Sequence, residues 1–263
     1  MIVDERTCIL LIGHGSRLPF NKEMVDLHAG LLKKKGYVVY TGYNESNTPT
    51  IEDSMRAISK DGFDKIVALP LFVASGRHTY EDIPDKLGIP RRYGCFESTK
   101  YGKKIIIDYN EPFGDDPGVT NVLLHKINTN GGSKSTGVLL IAHGSPLPHN
   151  SDLVIRTADR LKALGIQNVF VGFNEYNDPN IEDSYSEMIG NGFEKIIVLP
   201  MFLASGSHIG EEIPGKLGIP GGSRSGTVNK GNKSVDVILA EPLGLNPEMN
   251  EILIKKIEDS AVS

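Results

Sequence analysis

Two histidines in the first half of the sequence could bind a metal ion or carry a proton. His14 lies between two glycines in the segment IGHGSR, and His78 lies in SGRHTYEDIP. A neutral imidazole is a common ligand for divalent transition metals, and it titrates near neutral pH. Glu45, in GYNESNTP, adds a carboxylate that could assist either role. Taken alone, each residue could equally be a helix cap or a solvated loop residue. Only their combination points to a functional site.

The combination occurs twice. His143, Glu175 and His208 stand in the matching segments IAHGSP, GFNEYNDP and SGSHIGEEIP of the second half. The repeat is too long for a solenoid and indicates a duplicated domain. We therefore predict a first unit at 1–129, a Gly/Ser-rich linker at 130–136 and a second unit at 137–263.

The pattern of apolar residues predicts which elements position these side chains. Short runs rich in Ile, Val and Leu alternate with segments of helical periodicity, as is typical of βαβ units with a parallel sheet. We predict an α/β fold of two similar tandem units, each a mainly parallel sheet flanked by helices, related by a pseudo-twofold axis. In the first unit the predicted strands are TCILLIG, YVVYTGY, KIVALPLF and KIIIDY, and the predicted helices are PFNKEMVDLHAGLLKKKG and TPTIEDSMRAISKDG.

Two local details follow from the same pattern. Thr48 is the predicted N-cap of the second helix, with Pro49 at its first helical position. The polar, glycine-containing segments 91–104 and 221–234 are predicted to be exposed loops.

The chemically interesting residues follow the predicted strands. His14 comes after the first strand, Glu45 after the second, and His78 a few residues beyond the third. Ligands of open parallel sheets bind outside the carboxyl ends of the strands, so we expect the three side chains to converge there.

Small and basic residues beside the two histidines could bind an anionic ligand. Backbone N–H groups at the start of a helix or in a tight turn bind anions, and arginines pair with carboxylates, although each arginine could be an ordinary surface charge. The predicted anion-binding residues are Gly15, Ser16, Arg17, Ser75, Gly76 and Arg77.

Composition excludes several classes of function. The net charge of −5 gives no general attraction to nucleic acid, and no run approaches the ~20 apolar residues of a membrane helix. The acidic N-terminus precedes an apolar run too short for a signal peptide, so we expect a cytoplasmic protein. Cys8 and Cys95 have no metal-type spacing, and the P-loop, HExxH, GxSxG and GxGxxG motifs are absent.

The ordered set LLIGHGSR, Glu45 and LPLFVASGRHTYEDIP resembles the class II tetrapyrrole chelatases of the sirohydrochlorin cobaltochelatase (CbiX-like) group, in their fused two-unit form. The resemblance implies insertion of a divalent metal, Co²⁺ first and Ni²⁺ or Fe²⁺ as alternatives, into sirohydrochlorin. The metal is then a substrate, no cofactor is tightly bound, and the protein is expected to be a monomer with an internal pseudo-dimer.

The resemblance also assigns roles to residues. It implies that His14 and His78 bind the metal and assist pyrrole deprotonation, with Glu45 helping, and that His143 and His208 are further metal ligands. Because Ala142, Pro146 and Ser207 replace Gly13, Arg17 and Arg77, we expect the first unit to supply the main ligands. The glycines around His14 are expected to leave room for a flat macrocycle.

Two other classes remain open. A phosphohistidine enzyme also places a histidine after its first strand, but usually as Arg-His-Gly, whereas Gly13 or Ala142 precedes the histidine here. A non-catalytic carrier of metal or tetrapyrrole would bind without accelerating insertion.

Overall fold

The computed structural model describes residues 4–146, 148–204, 206, 208–230 and 233–262, with the backbone alone at 148, 208, 261 and 262. The chain divides into two compact units. Unit 1 comprises Met1–Gly114 and Pro247–Ser263, and unit 2 comprises Asp115–Asn246.

Among the described residues, no helix combines the length and the apolar character needed to span a bilayer.

Each unit contains a five-stranded sheet in which four strands are parallel and one edge strand is antiparallel. The strand order is β2-β1-β3-β5-β4 in unit 1 and β7-β6-β8-β10-β9 in unit 2. The strands are β1 (Thr7–Gly13), β2 (Val39–Tyr43), β3 (Lys65–Pro70), β4 (Gly94–Ser98), β5 (Ile105–Tyr109), β6 (Gly137–Ala142), β7 (Val169–Phe173), β8 (Lys195–Pro200), β9 (Ser225–Lys230) and β10 (Lys233–Leu239). The predicted α/β fold with mainly parallel sheets is confirmed.

Helices flank both sheets. They are α1 (Phe20–Lys34), α2 (Ile51–Lys60), α3 (Ile83–Leu87), α4 (Pro117–Thr129), α5 (Pro148–Ala163), α6 (Ile181–Gly190), α7 (Ile213–Leu217) and α8 (Met249–Val262). A π-helical turn precedes α3 at His78–Asp82 and α7 at His208–Glu212, and a 3₁₀ turn spans Leu243–Leu245.

The parallel strands were readable from sequence because both of their faces are buried. In β1, Cys8, Leu10 and Ile12 pack in a core cluster with residues of α2, while Ile9 and Leu11 are buried on the other face. A strand buried on both faces reads as a continuous apolar run, which is the pattern that predicted it.

The edge strands β4 and β9 lie inside segments predicted to be loops, and that prediction was wrong. β4 pairs antiparallel with β5 from Gly94↔Tyr109 to Ser98↔Ile105, and β9 pairs with β10. Burial within β4 alternates, with Cys95 and Glu97 exposed. Because each edge strand packs on one face only, neither shows the continuous apolar run of the central strands.

Helix α2 begins two residues later than predicted. Its N-cap is Thr50 rather than Thr48: the Thr50 hydroxyl accepts from the Asp53 N–H, and the Asp53 carboxylate accepts from the Thr50 N–H. This reciprocal capping box satisfies two backbone donors. Pro49 therefore precedes the helix instead of starting it.

The compact units differ from the sequence repeats in their last helices. Helix α4 follows β5 in the chain but packs against α5 and β8 of unit 2. Helix α8 follows β10 but packs against α1 and β3 of unit 1, burying Leu253 and Ile257. The sequence repeats follow the order of the duplicated segments along the chain. The compact units instead group each helix with the sheet that it packs against.

Candidate metal and active site

The ends of three neighbouring strands bring the predicted site residues of unit 1 together. Leu71 N–H donates to the Ile12 carbonyl (2.8 Å), and Asn44 N–H donates to the Gly13 carbonyl (2.9 Å). One residue further on, Glu45 N–H donates to the His14 carbonyl (3.0 Å). These bonds extend the sheet past its last paired residues and fix His14 beside the loop that carries Glu45.

A glycine is required at position 15 because the loop that carries Glu45 passes very close to it. The φ of Gly15 is +90°, and a Cβ placed there would lie 1.6 Å from the Glu45 carbonyl oxygen. Gly144 repeats the arrangement in unit 2, with a Cβ 1.9 Å from the Glu175 oxygen. The expectation that this glycine leaves room for a macrocycle was wrong, because the neighbouring backbone fills the space.

The imidazoles of His14 and His78 meet edge to face. Their Nε2 atoms are 3.2 Å apart, and the ring planes are inclined at 87°. The Nδ1 atom of His14 lies 2.8 Å from the Gly15 carbonyl oxygen, which can only accept a hydrogen bond. His14 therefore carries its proton on Nδ1 and presents a lone pair on Nε2. The side chains are 36% and 39% exposed, so ligands can reach the pair.

The far side of the His78 ring contacts a carboxylate and an amide. Its Nδ1 atom is 2.7 Å from Asp82 Oδ2 and 3.1 Å from Asn44 Nδ2. His78 and Asp82 are four residues apart on the π-helical turn. Burial raises the pKa of Asp82, but hydrogen bonds from His78 and Asn44 outweigh it and hold that pKa below its ordinary value.

Glu45 approaches the His14 ring on the side opposite His78. Its Oε1 atom is 3.4 Å from His14 Nδ1, and its side chain is 52% exposed. The structure thus brings His14, His78 and Glu45 into one cluster, with the carboxylate next to Nδ1 rather than Nε2.

The predicted anion-binding amides beside His14 have partners inside the unit. Gly15 N–H donates to Asn21 Oδ1 (3.0 Å), and Ser16 N–H donates to Asn47 Oδ1 (2.6 Å). In this conformation neither amide is available to an anion. Arg17, in contrast, is exposed.

Polar groups in the predicted anion-binding turn before His78 also have partners inside the unit. Gly76 N–H donates to Thr79 Oγ1 (3.0 Å), and the Ser75 hydroxyl bonds the Tyr93 hydroxyl (2.8 Å). Arg77 is 76% exposed, and its Nε atom is 3.7 Å from Glu81 Oε2. Of the six predicted anion-binding residues, Arg17 and Arg77 are the two that are exposed.

Sequence reasoning missed Asn44, Asp82 and Lys86. The Lys86 ammonium donates to Asn44 Oδ1 (2.9 Å) and to the Asn44 carbonyl. The three residues line a polar cavity of about 460 Å³ that also touches Glu45. Their signal was present in the repeat: an asparagine precedes both Glu45 and Glu175, and both His78 and His208 are followed by an acid four residues on and a lysine eight residues on.

Within the described part of the chain, no group of three or more His, Cys, Asp or Glu side chains is arranged to hold one ion. The Nε2 atoms of His14 and His78 could serve as two nitrogen ligands to one ion.

Unit 2 repeats the supporting residues but differs near its first histidine. Asn174 Nδ2 donates to Glu212 Oε1 (3.0 Å), and Lys216 donates to Asn174 Oδ1 (2.9 Å). The His143 ring stacks on Tyr176 with centroids 6.3 Å apart, where unit 1 has Ser46. The side chain of His208, a predicted metal ligand, lies outside the described part of the structure, as does Ser207.

Comparison with known proteins identifies the family. The CbiX profile matches the chain twice, over residues 8–130 and 137–260. A sirohydrochlorin cobaltochelatase of Saccharolobus islandicus is 34% identical over 124 residues, covering 47% of this chain and 94% of that protein. A second one, from Methanococcoides burtonii, is 39% identical over 114 residues, covering 43% of this chain and 87% of that protein.

A solved structure, SirB from Bacillus subtilis with Fe³⁺, has the same fold. It aligns with a TM-score of 0.77 at 22% identity, covering 97% of this chain and 95% of SirB. The two profile matches together span most of the sequence, once per repeat. The chain therefore belongs to the CbiX family.

Proposed function

We propose that this chain is a sirohydrochlorin chelatase that inserts a divalent metal, Co²⁺ in the first place and Ni²⁺ or Fe²⁺ as alternatives, into the tetrapyrrole. The observation that carries the proposal is the 3.2 Å separation of the His14 and His78 Nε2 atoms. The names of the relatives, sirohydrochlorin cobaltochelatases, support both the substrate and the first choice of metal.

The separation of the two nitrogens suits a shared metal ion. Two nitrogens bound at about 2.0–2.1 Å to a tetrahedral ion lie roughly 3.3–3.4 Å apart. The observed distance is close to this value, so His14 and His78 could bind an ion with little movement.

The same two residues can manage the protons. Insertion removes two N–H protons from the macrocycle while the metal loses water. Once the metal leaves the histidines for the pyrrole nitrogens, each Nε2 lone pair becomes able to accept a proton. Glu45, 3.4 Å from His14 Nδ1, would stabilise the resulting imidazolium.

The carboxylates of sirohydrochlorin need cationic partners on a chain whose net charge is −5. Arg17 and Arg77, both exposed and both near a site histidine in sequence, are the proposed partners. We assign no tightly bound cofactor and propose that the reaction takes place in the cytoplasm.

His143 and His208 are proposed as a second set of metal-binding residues. The support is the arrangement of Asn174, Glu212 and Lys216 in unit 2, which repeats that of Asn44, Asp82 and Lys86 in unit 1. Because Pro146 stands in place of Arg17, we assign the main role to the histidines of unit 1.

The test is absorbance spectroscopy of sirohydrochlorin mixed with Co²⁺, Ni²⁺ or Fe²⁺, with and without catalytic amounts of the full chain. A chelatase accelerates the spectral change over many turnovers. A carrier gives at most one equivalent of bound tetrapyrrole or metal and no acceleration, which would overturn the proposal. Robust phosphatase turnover without metal insertion would favour the phosphohistidine class instead.

A further inference from the structure

We infer that Lys86, Asn44 and Asp82 form a positioning chain that fixes the proton of His78 on Nδ1 and turns its Nε2 lone pair toward His14. The inference rests on the proposed function only in treating His78 as a metal ligand. None of the three residues is assigned to contact the metal or the tetrapyrrole; they act through His78.

Lys86 determines how the Asn44 amide is oriented. An ammonium group has only donors, so the side-chain atom 2.9 Å from Lys86 Nζ must be the Asn44 oxygen. The Asn44 NH₂ group then faces the opposite direction, toward His78 and Asp82. Asn44 is only 6% exposed, and a buried amide is costly unless both of its ends are paired.

Asn44 and Asp82 together determine where the His78 proton lies. The ionised Asp82 carboxylate can only accept hydrogen bonds, and its Oδ2 atom is 2.7 Å from His78 Nδ1. If Nδ1 carried a lone pair, two acceptors would face each other at that distance. Nδ1 therefore donates to Asp82, and the Asn44 NH₂ group, 3.1 Å from Nδ1, directs its proton to the same carboxylate.

The consequence lies on the other side of the ring. With the proton on Nδ1, His78 Nε2 has a lone pair 3.2 Å from that of His14 Nε2, because His14 Nδ1 donates to the Gly15 carbonyl. The two lone pairs repel each other, and a cation bound between them removes that repulsion. A carboxylate that holds the second nitrogen of a metal-binding histidine fixes its tautomer and raises its basicity. The positioning chain thus prepares the His78 nitrogen as a ligand before the metal arrives, and the Gly15 carbonyl does the same for the His14 nitrogen.

Unit 2 contains the same positioning chain of side chains with a different acid. Lys216 donates to Asn174 Oδ1, and Asn174 Nδ2 donates to Glu212, which lies four residues after His208. The order lysine, asparagine, carboxylate is therefore kept when aspartate becomes glutamate. This makes Asp82→Glu the natural conservative variant for a test.

The direct test is the tautomer of His78, read from long-range ¹H–¹⁵N spectra of the metal-free full chain. We expect the Nδ1–H form in the wild type and in Asp82→Glu, and a mixture of forms in Asp82→Asn. His14 is the internal reference and should keep its Nδ1–H form in all three. A wild-type His78 protonated on Nε2, or an unchanged Nδ1–H form in Asp82→Asn, would overturn the inference.

A second readout is Co²⁺ affinity, measured in the full chain carrying His143→Ala and His208→Ala so that unit 1 is observed alone. Loss of such a supporting carboxylate typically weakens metal binding about 10–100-fold, and we expect that range for Asp82→Asn. Asp82→Glu should restore most of the affinity. Asp85→Asn is the matched control, because Asp85 lies three residues on and pairs with Arg91 (2.7 Å) instead of a histidine.

Lys86→Met tests the remote end of the chain. It should weaken Co²⁺ binding in the same direction as Asp82→Asn but by less, and the two changes together should cost less than their sum, because they interrupt one path. Fully additive losses of Co²⁺ affinity, or an effect of Asp82→Asn no larger than that of Asp85→Asn, would contradict the positioning chain. These outcomes do not depend on insertion activity: a correct tautomer without chelation would reject the proposed function and leave the positioning chain intact.

Discussion

Gly15 lies so close to the Glu45 carbonyl that a Cβ at this position would be 1.6 Å from the oxygen. This contact joins the turn after β1 to the loop after β2 and so determines where His14 stands. Gly36 offers a comparison, since its φ of +93° is similar but a Cβ there would meet nothing within 4 Å.

We therefore predict that Gly15→Ala is much more destabilising than Gly36→Ala. A positive φ costs a side chain about 1–2 kcal/mol at either position. The collision at Gly15 adds about 1–3 kcal/mol of overpacking. Urea unfolding of both variants measures the difference, and equal losses of unfolding free energy would show that the Glu45 contact is not tight.

Asp115 gives unit 2 an acid-sensitive contribution to stability. Its carboxylate accepts hydrogen bonds from Arg156 (2.8 Å) and Arg160 (2.9 Å). Burial raises the pKa of Asp115, but the two guanidinium groups outweigh it and hold that pKa below its ordinary value.

A depressed pKa stabilises the folded state above the unfolded-state pKa, and the gain disappears as the pH falls through the folded-state pKa. Because the groups are about half exposed, Asp115→Asn should lower the unfolding free energy at pH 7 by no more than about 1 kcal/mol. The difference in unfolding free energy between variant and wild type should decrease below about pH 4 and disappear in stronger acid.

The control is Asp159→Asn, an exposed residue of α5 whose carboxylate is 3.6 Å from Lys162. Unfolding free energies at several pH values should show a gap for Asp115→Asn that shrinks in acid. A gap that is constant with pH would mean that the effect of Asp115→Asn is not due to its charge.

The two cysteines should differ sharply in reactivity. Cys8 is completely buried in β1, and burial raises its thiol pKa to about 12, whereas Cys95 is exposed on β4. The thiolate is the reactive form, so a thiol reagent should modify Cys95 alone in the native protein.

Colorimetric titration with and without denaturant measures this difference. The Cys95→Ser variant should show no accessible thiol until it unfolds. Rapid modification of Cys8 in the native variant would mean that β1 opens readily, contrary to its place between β2 and β3 in the sheet.

The sequence predicted the central strands and the clustering of His14, Glu45 and His78 at the strand ends, and physical reasons explain what it missed. Continuous apolar runs mark strands buried on both faces, but β4 packs on one face only and has no such run. The roles of Asn44, Asp82 and Lys86 depend on contacts between separate segments, and each residue alone is ordinary.

The amides of Gly15 and Ser16 illustrate the same limit. A helix start suggested free donors, but Asn21 and Asn47 accept from them, and one of these partners lies in the loop after β2. Only the folded chain reveals that such donors are occupied.

The central claim is that the His14–His78 pair transfers the metal. Its most direct test is the initial rate of Co²⁺ insertion into sirohydrochlorin, followed by absorbance, for the variant His14→Ala/His78→Ala of the full chain. His125→Ala, on exposed surface of α4, is the control. Loss of such acid–base groups typically costs about 10²–10⁴-fold, and we predict a drop in that range with a wild-type rate for the control. A double variant that keeps half or more of the wild-type rate would contradict the account.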